Sequence, residues 1–98
     1  MIDSLDVRPE AEEEVLRAYA WYEAQRTGLG EEFLSCVDAV FSQICRAPEM
    51  FPVVHEEVRR VLTRKFPYGV FYMVQDRRVV VLAVYHGSRD PSVWKQRA

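Results

Sequence analysis

The strongest constraint on the fold is an uninterrupted apolar run near the C-terminal end of the sequence. Residues 79–86 read VVVLAVYH, so apolar side chains would lie on both faces of an extended segment. This pattern is typical of a central strand that is covered on both sides. Two more β-rich runs precede it, at 59–66 and 68–74, and short turn-like segments separate the three. The sequence therefore predicts an antiparallel meander in its second half.

Two helices are predicted before the meander. Pro9 opens a segment that is helical in its periodicity as far as Arg26, and its early glutamates suit the positive end of a helix dipole. The residues TGLG at 27–30 interrupt it, and a second helix is predicted over 31–46. Its core stripe has helical spacing and consists of Phe33, Val37, Val40, Phe41 and Ile44. Because the break is so short, the two helices are expected to form an antiparallel hairpin.

A first strand is predicted at residues 4–8, SLDVR, and the segment 47–57 between Ala47 and the meander is predicted to be a loop. The element order is then β-α-α-β-β-β, an α+β domain in which an antiparallel sheet of about four strands packs on a helical hairpin. With 98 residues the chain supports one core, so a single domain over 1–98 is expected. Beyond Gly87 the chain is polar, and Trp94 is its only large apolar anchor.

Composition and charge restrict the class of protein. No apolar run approaches the roughly 18 residues that span a bilayer, and the acidic N-terminus is unlike a signal peptide, so a cytoplasmic protein is expected. Residues 1–50 carry eleven acids against four arginines, a net charge of −7, whereas residues 51–98 carry nine bases against four acids, a net charge of +5. This division predicts an acidic surface and a basic one, and the basic half is where a polyanionic or acidic partner is expected.

The first candidate site lies in the basic strand at 59–66. Period-two alternation places Arg60, Leu62 and Arg64 on one face, where the guanidinium groups could bind a phosphate or the carboxylates of a partner. The alternative is a solvated face whose charges protect an edge strand from aggregation.

The second candidate site is the end of the apolar strand, where His86 is followed by Arg89. His86 could act as a general acid or base, and Arg89 could stabilise a phosphate in a transition state. The alternative is structural: His86 caps a turn, while Arg89 pairs with Asp90 or with an acid of the first helix. His55, in the loop between prolines, is a weaker candidate.

The remaining motifs favour structural interpretations. Tyr19, Trp21 and Tyr22 could stack on bases, but core packing explains the two tyrosines better. The glutamates at 10–14 could bind a metal, although a solvated helix start is the simpler interpretation. Cys36 and Cys45 lack CxxC spacing and would lie on opposite faces of one helix, so neither a disulfide nor a zinc site is expected. No phosphate-binding loop or dinucleotide fingerprint is present, and no cofactor or metal is expected.

Four segments in order resemble one protein family: AYAWYEAQRTGLGEEFL, RAPEMFPVV, RRVLTRKFPYGVFYMV and VVVLAVYHGSRDPSVW. They are similar to the RelE/ParE superfamily of type II toxins, and most similar to its ParE-like branch, over about residues 5 to 97. The resemblance implies the β-α-α-β-β-β fold and a toxin that a cognate antitoxin protein holds inactive. It also implies that an antitoxin segment wraps over the sheet and helices, where Arg60, Arg64 and Arg89 are the expected partner-binding residues. A homodimer of the free toxin is compatible with the family.

The resemblance is compatible with two cellular targets of the toxin and with an inactive protein that only binds the antitoxin. ParE-like members inhibit DNA gyrase, whereas RelE-like members cut mRNA on the ribosome and are enzymes. For a nuclease, the candidate catalytic residues would be Arg60, Arg64, His86 and Arg89. The terminal residues SVWKQRA lack a late Tyr or His, and the net charge of −2 is unusual for a protein that docks on ribosomal RNA. The expectation is a gyrase inhibitor; the alternatives are a ribosome-dependent endoribonuclease and an inactive antitoxin-binding module.

Overall fold

A five-stranded sheet and a helical hairpin form the two main layers of the protein. The structure is a computed structural model, and it describes residues 2–98. The elements in chain order are β1 (Ser4–Val7), α1 (Pro9–Gln25), α2 (Leu29–Arg46), β2 (Val53–His55), β3 (Val58–Leu62), β4 (Tyr68–Gln75), β5 (Arg78–His86) and α3 (Ser92–Lys95). The predicted α+β class and the hairpin of two long helices are confirmed.

The sheet has one more strand than expected, and it is mixed. Its order is β1-β5-β4-β3-β2, with β1 parallel to β5 and the other neighbours antiparallel. The parallel pair arises because the hairpin α1–α2 lies between β1 and the meander, which is the long crossover that parallel strands need. The extra strand β2 lies inside the segment predicted to be a loop, where Val53 pairs with Arg59.

The strand β3 is shorter than the predicted run of 59–66. It ends at Leu62, and the hydroxyl of Thr63 lies 2.9 Å from the carbonyl oxygen of Phe66 and 3.1 Å from that of Tyr68. Lys65 adopts a positive φ of 70°, which a strand does not accommodate. Residues 63–67 are therefore a turn. The prediction that Arg60 and Arg64 lie on one strand face is wrong, because Arg64 belongs to this turn.

One face of the sheet, called the helix face here, packs against α1 and α2. The predicted stripe of α2 is largely confirmed, since Phe33, Val37, Val40 and Ile44 are buried and Phe41 is half-buried. They meet buried side chains of the sheet, namely Val61, Val70, Tyr72, Val79, Val81 and Val84. Burial of these apolar surfaces supplies the main driving force for joining the two layers.

The helix α2 begins at Leu29, two residues before the predicted start. The carboxylate of Glu23 in α1 accepts hydrogen bonds from the N–H groups of Gly28 and Gly30, both at 2.9 Å. These are N–H groups that have no partner within the helix itself. Gly30 is required at this contact, because a Cβ atom there would lie 2.8 Å from the carbonyl oxygen of Tyr19.

The opposite face of the sheet, called the outer face here, carries a second apolar cluster. It is covered in part by α3, whose Trp94 is 5% exposed and stacks on Phe71 with 4.2 Å between the ring centroids. The other buried members are Val58, Val80, Leu82, Ala83 and Tyr85. Trp94 is thus the anchor that the sequence indicated, and it places the C-terminal residues against the sheet.

Candidate functional site

Arg60 lies on the outer face of the sheet. It alternates in β3 with Val61, which is part of the core on the helix face, so the Arg60 side chain leaves on the other side. Its stem extends over Gly69 of β4, where an added Cβ atom would lie 3.3 Å from Arg60 Cγ and 3.2 Å from a ring atom of Phe71. Because Gly69 has no side chain, the stem of Arg60 can lie directly over it.

Arg64 and Arg89 lie at one end of the sheet. Arg64 is in the turn after β3, and Arg89 follows β5. The backbone joins the two segments, because the N–H of Gly87 donates to the carbonyl oxygen of Pro67 at 2.8 Å. Within residues 2–98, neither Arg64 nor Arg89 forms an ion pair, and the same holds for Arg60. The three exposed guanidinium groups are therefore available to an anionic partner.

His86 ends β5 on the helix face of the sheet. Its ring meets that of Tyr68 edge-on, with 5.3 Å between the centroids. Its Nδ1 accepts a hydrogen bond from the backbone N–H of Ser88 at 3.0 Å, and the Ser88 hydroxyl lies 2.7 Å from the same atom. Because a backbone N–H can only donate, the neutral ring carries its proton on Nε2. The imidazole thus closes the turn after β5 through Nδ1, and its Nε2–H group remains a hydrogen-bond donor.

The sequence-predicted residues fall into two groups. Arg60 lies on the outer face, whereas His86 lies on the helix face, so the sheet separates them. Arg89 does not pair with Asp90, whose carboxylate accepts the backbone N–H of Ser92 at 3.0 Å; this hydrogen bond lowers the pKa of Asp90. Of the three candidate arginines, Arg89 lines the same cleft as His86.

A cleft of about 750 Å³ opens between α1 and the end of β5. We call it the β5-edge cleft, and the residues that matter most in its wall are Ala18, Trp21, Tyr22, Tyr68, His86 and Arg89. Tyr22 packs against the core as predicted, with 4.7 Å between its ring centroid and that of Phe66, and Trp21 is 59% exposed. The same prediction for Tyr19 is wrong, because Tyr19 is not among the side chains of the core and its hydroxyl donates to the exposed Glu31 carboxylate at 3.0 Å. Burial raises the pKa of Tyr68, and the nearby positive charge of Arg89 opposes that rise. The cleft thus combines aromatic surfaces with a cation.

An ion pair that sequence reasoning missed closes one end of this cleft. Arg97 and Glu14 form a bidentate pair, with Nη1–Oε1 at 3.1 Å and Nη2–Oε2 at 2.9 Å, and both side chains are largely buried. The same groups bind the backbone of β5: Glu14 accepts the N–H of Val84 at 3.0 Å, and Arg97 donates to the carbonyl oxygen of Leu82 at 3.1 Å. We call this arrangement the Glu14–Arg97 clasp. The partners are 83 residues apart, and no local pattern indicates their pairing.

The described residues offer neither a metal site nor a membrane-spanning helix. Among residues 2–98, no group of three or more His, Cys, Asp or Glu side chains is arranged to hold a metal ion. No helix in the same range combines the length and the apolar character needed to cross a membrane.

Comparisons with known proteins agree with the fold and with the resemblance noted in the sequence. The family model for the ParE toxin of the type II toxin–antitoxin system parDE matches residues 5–91. Toxin ParE2 of Mycobacterium tuberculosis is 30% identical over 93 residues, which cover 94% of this chain and 89% of the relative, in both strains CDC 1551 and H37Rv. A chain from the structure of a chromosomal ParDE system of P. aeruginosa superposes with a TM-score of 0.65 at 16% identity, covering 87% of this chain and 96% of that one. The chain therefore belongs to the ParE toxin family of type II toxin–antitoxin systems.

Proposed function

We propose that this protein arrests growth in the cytoplasm by inhibiting DNA gyrase, and that its cognate antitoxin prevents this. Membership of the ParE toxin family supplies the general role, because such a toxin is the partner of an antitoxin. The choice of target rests on the ParE-like character of the sequence and on the arrangement of the basic residues.

The observation that favours gyrase over mRNA is that the sheet separates one nuclease candidate, Arg60, from His86 and Arg89. A ribonuclease of the RelE type would need arginines on the phosphate and an acid–base group at the same bond, within hydrogen-bond reach of the reacting atoms. Here Arg60 lies on the outer face, and His86 lies on the helix face with its Nδ1 engaged by Ser88. Inhibition of gyrase through a protein surface does not require an arginine and an acid–base group to meet at one bond.

We also propose that Arg60, Arg64 and Arg89 contact the antitoxin. All three are exposed and form no ion pair within residues 2–98, and they lie in the half of the sequence whose net charge is +5, from nine bases and four acids. An acidic antitoxin segment that passes around this end of the sheet would neutralise them. Charge-assisted hydrogen bonds from guanidinium to carboxylate supply the recognition.

Induced expression without the antitoxin tests the target. The expected result is growth arrest with a DNA-damage response and accumulated cleaved DNA, while mapping of RNA 5′ ends finds intact coding RNA. Immediate arrest of translation with new 5′ ends in coding RNA, abolished in His86→Ala or Arg64→Ala, would instead identify an endoribonuclease. Normal growth would identify an inactive antitoxin-binding module and contradict both toxic functions.

A further inference from the structure

Ser88 places its hydroxyl against His86 at the end of β5. The hydroxyl oxygen lies 2.7 Å from Nδ1 of the imidazole, a distance typical of a nucleophile and its general base. Nδ1 also accepts the backbone N–H of Ser88 at 3.0 Å, so this nitrogen carries no proton and the hydroxyl donates to it. The pair therefore consists of a hydroxyl donor and a neutral basic nitrogen.

The imidazole is held in place for this contact. The hydrogen bond from the Ser88 N–H fixes Nδ1, and the ring of Tyr68 meets the imidazole edge-on, with 5.3 Å between the centroids. Ser88 itself is exposed on the turn after β5, so a reactant reaches its hydroxyl directly from solvent. A hydroxyl beside an oriented base is the arrangement that activates a serine as a nucleophile.

The backbone donors of this turn are already engaged. The N–H of Gly87 donates to the carbonyl oxygen of Pro67 at 2.8 Å, and the N–H of Arg89 donates to that of His86 at 3.1 Å. The N–H of Ser88 is bound to Nδ1. These groups are therefore not available to the oxyanion that develops when a carbonyl is attacked, and such stabilisation is a large part of catalysis. We expect the hydroxyl to react with activated esters, which have good leaving groups, and not with amides.

The β5-edge cleft offers a place for an aromatic part of the reactant. His86 lines this cleft together with Trp21, Tyr68 and Arg89. The indole of Trp21 is 59% exposed, so its ring is accessible for stacking. The cleft lies beside the Ser88 hydroxyl because that hydroxyl is in contact with His86. Esters that carry an aromatic ring are therefore the reactants that fit the surroundings.

We propose that Ser88 is a nucleophilic hydroxyl, activated by His86, which takes an acyl group from activated aryl esters and is thus a site of covalent modification. The Ser88 oxygen forms a bond to the carbonyl carbon, His86 Nδ1 takes the hydroxyl proton, and the bond to the leaving group breaks. The leaving group departs with the electron pair of that bond, so nothing is oxidised or reduced. The proton then passes from Nδ1 to solvent. This chemistry is independent of the cellular target of the toxin.

The acyl group is expected to remain on Ser88. Its hydrolysis would require a water molecule activated by the same nitrogen and donors for a second oxyanion, and the N–H groups of residues 87–89 are engaged. In addition, no carboxylate of residues 2–98 forms an ion pair with His86, so the base lacks the third group of a catalytic triad. The expected reaction is stoichiometric, with one acyl group per chain.

Reaction of the full chain with p-nitrophenyl acetate tests this assignment. We expect a burst of p-nitrophenolate and an acetyl group that peptide mass spectrometry locates on Ser88. Ser88→Ala should abolish the burst. The matched control is Ser42→Ala, which removes an exposed serine hydroxyl of α2 and should react as the unchanged chain does. The corresponding amide, p-nitroacetanilide, should leave no acetyl group on Ser88.

His86→Asn separates the role of a base from that of closing the turn. The side-chain oxygen of asparagine is able to accept the Ser88 N–H in place of Nδ1, whereas an amide is not a base. We expect acetylation of Ser88 to slow by about a hundredfold, at the lower end of what a positioned general base contributes. Trp21→Ala should raise the ester concentration that gives the half-maximal burst rate and leave the limiting rate unchanged.

Four results would overturn the proposal. The first is that Ser88 carries no acetyl group after the reaction, and the second is that it is acetylated as fast in His86→Asn as in the unchanged chain. The third is transfer of acetyl from p-nitroacetanilide, which would contradict the restriction to activated esters. The fourth is an unchanged half-maximal concentration in Trp21→Ala, which would contradict binding of the aromatic group in the cleft.

Discussion

At the scale of single residues, the start of α2 depends on a side chain of α1. The Glu23 carboxylate binds the N–H groups of Gly28 and Gly30, which would otherwise have no partner. We predict that Glu23→Ala lowers the free energy of unfolding by about 1–2 kcal/mol, as loss of a helix cap does. Urea denaturation measures this. The control is Glu13→Ala, which removes an exposed carboxylate paired with Arg17 on the same helix and should cost about 0.5 kcal/mol or less. Equal effects of the two substitutions would contradict the capping role.

Tyr72 links the sheet to the segment that follows α2. Its side chain is 0% exposed, and its hydroxyl donates to the carbonyl oxygen of Pro48 at 2.5 Å. Burial raises the pKa of Tyr72 above the ordinary value of 10.0, although the charge of Arg59 opposes this rise. The folded state therefore holds the phenolic proton more tightly than the unfolded chain does. Its contribution to stability is complete below the unfolded pKa and is lost as the pH rises through the folded pKa.

Tyr72→Phe should therefore flatten the alkaline part of the stability profile. We expect the substitution to cost about 1 kcal/mol near neutral pH, where a hydrogen bond is lost. Above about pH 10 the free energy of unfolding of the variant should fall less steeply than that of the unchanged chain. Urea denaturation at a series of pH values checks this. Parallel profiles for the two proteins would show that Tyr72 does not titrate during unfolding.

At the scale of elements, local patterns predict the helices well. The stripe from Phe33 to Ile44 predicts α2 because helical periodicity is a local property, and only the start of α2 is displaced, by the contact with Glu23. The pattern predicts too late an end for β3, because the alternation from Arg59 to Lys65 continues into a turn closed by Thr63. The strand β2 is not predicted, because its three residues are too few to give a periodic signal.

Other features are not predicted from the sequence because they are contacts between segments that are far apart along the chain. The pairing of β1 with β5 and the Glu14–Arg97 clasp each join parts of the chain more than 70 residues apart. Among the candidate site residues, His86 and Arg89 could be placed together because β5 leads directly into them. The separation of Arg60 from His86 by the sheet depends on the registers of β3, β4 and β5, including the irregularity in the ladder between β4 and β5.

The short helix α3 is expected to contribute to the stability of the fold mainly through Trp94. Trp94→Ala removes a buried ring that stacks on Phe71, and we predict a loss of roughly 3 kcal/mol in the free energy of unfolding. Val93→Ala is the matched control in the same helix, because Val93 is 40% exposed and should cost about 0.5 kcal/mol or less. Thermal and urea denaturation compare the two. A small effect of Trp94→Ala, similar to that of Val93→Ala, would mean that α3 contributes little to the fold.

At the scale of the whole molecule, the uneven charge distribution bears on partner binding. We predict that the double charge reversal Arg60→Glu, Arg64→Glu weakens the complex with the copurifying antitoxin by about tenfold or more, and that added salt weakens the unchanged complex more than the variant complex. Surface plasmon resonance at several salt concentrations measures both effects. Arg46→Glu, on α2, controls for charge reversal in general. Unchanged affinity in the double variant would contradict the basic-surface proposal.

We propose that this ParE-family toxin acts on DNA gyrase and not on RNA. Adding the purified chain to purified gyrase and relaxed plasmid tests this target. We expect loss of supercoiling with accumulation of cleaved DNA, and restoration of supercoiling when the antitoxin is added first. Unimpaired gyrase, together with cleavage of mRNA on ribosomes by the same preparation, would contradict it.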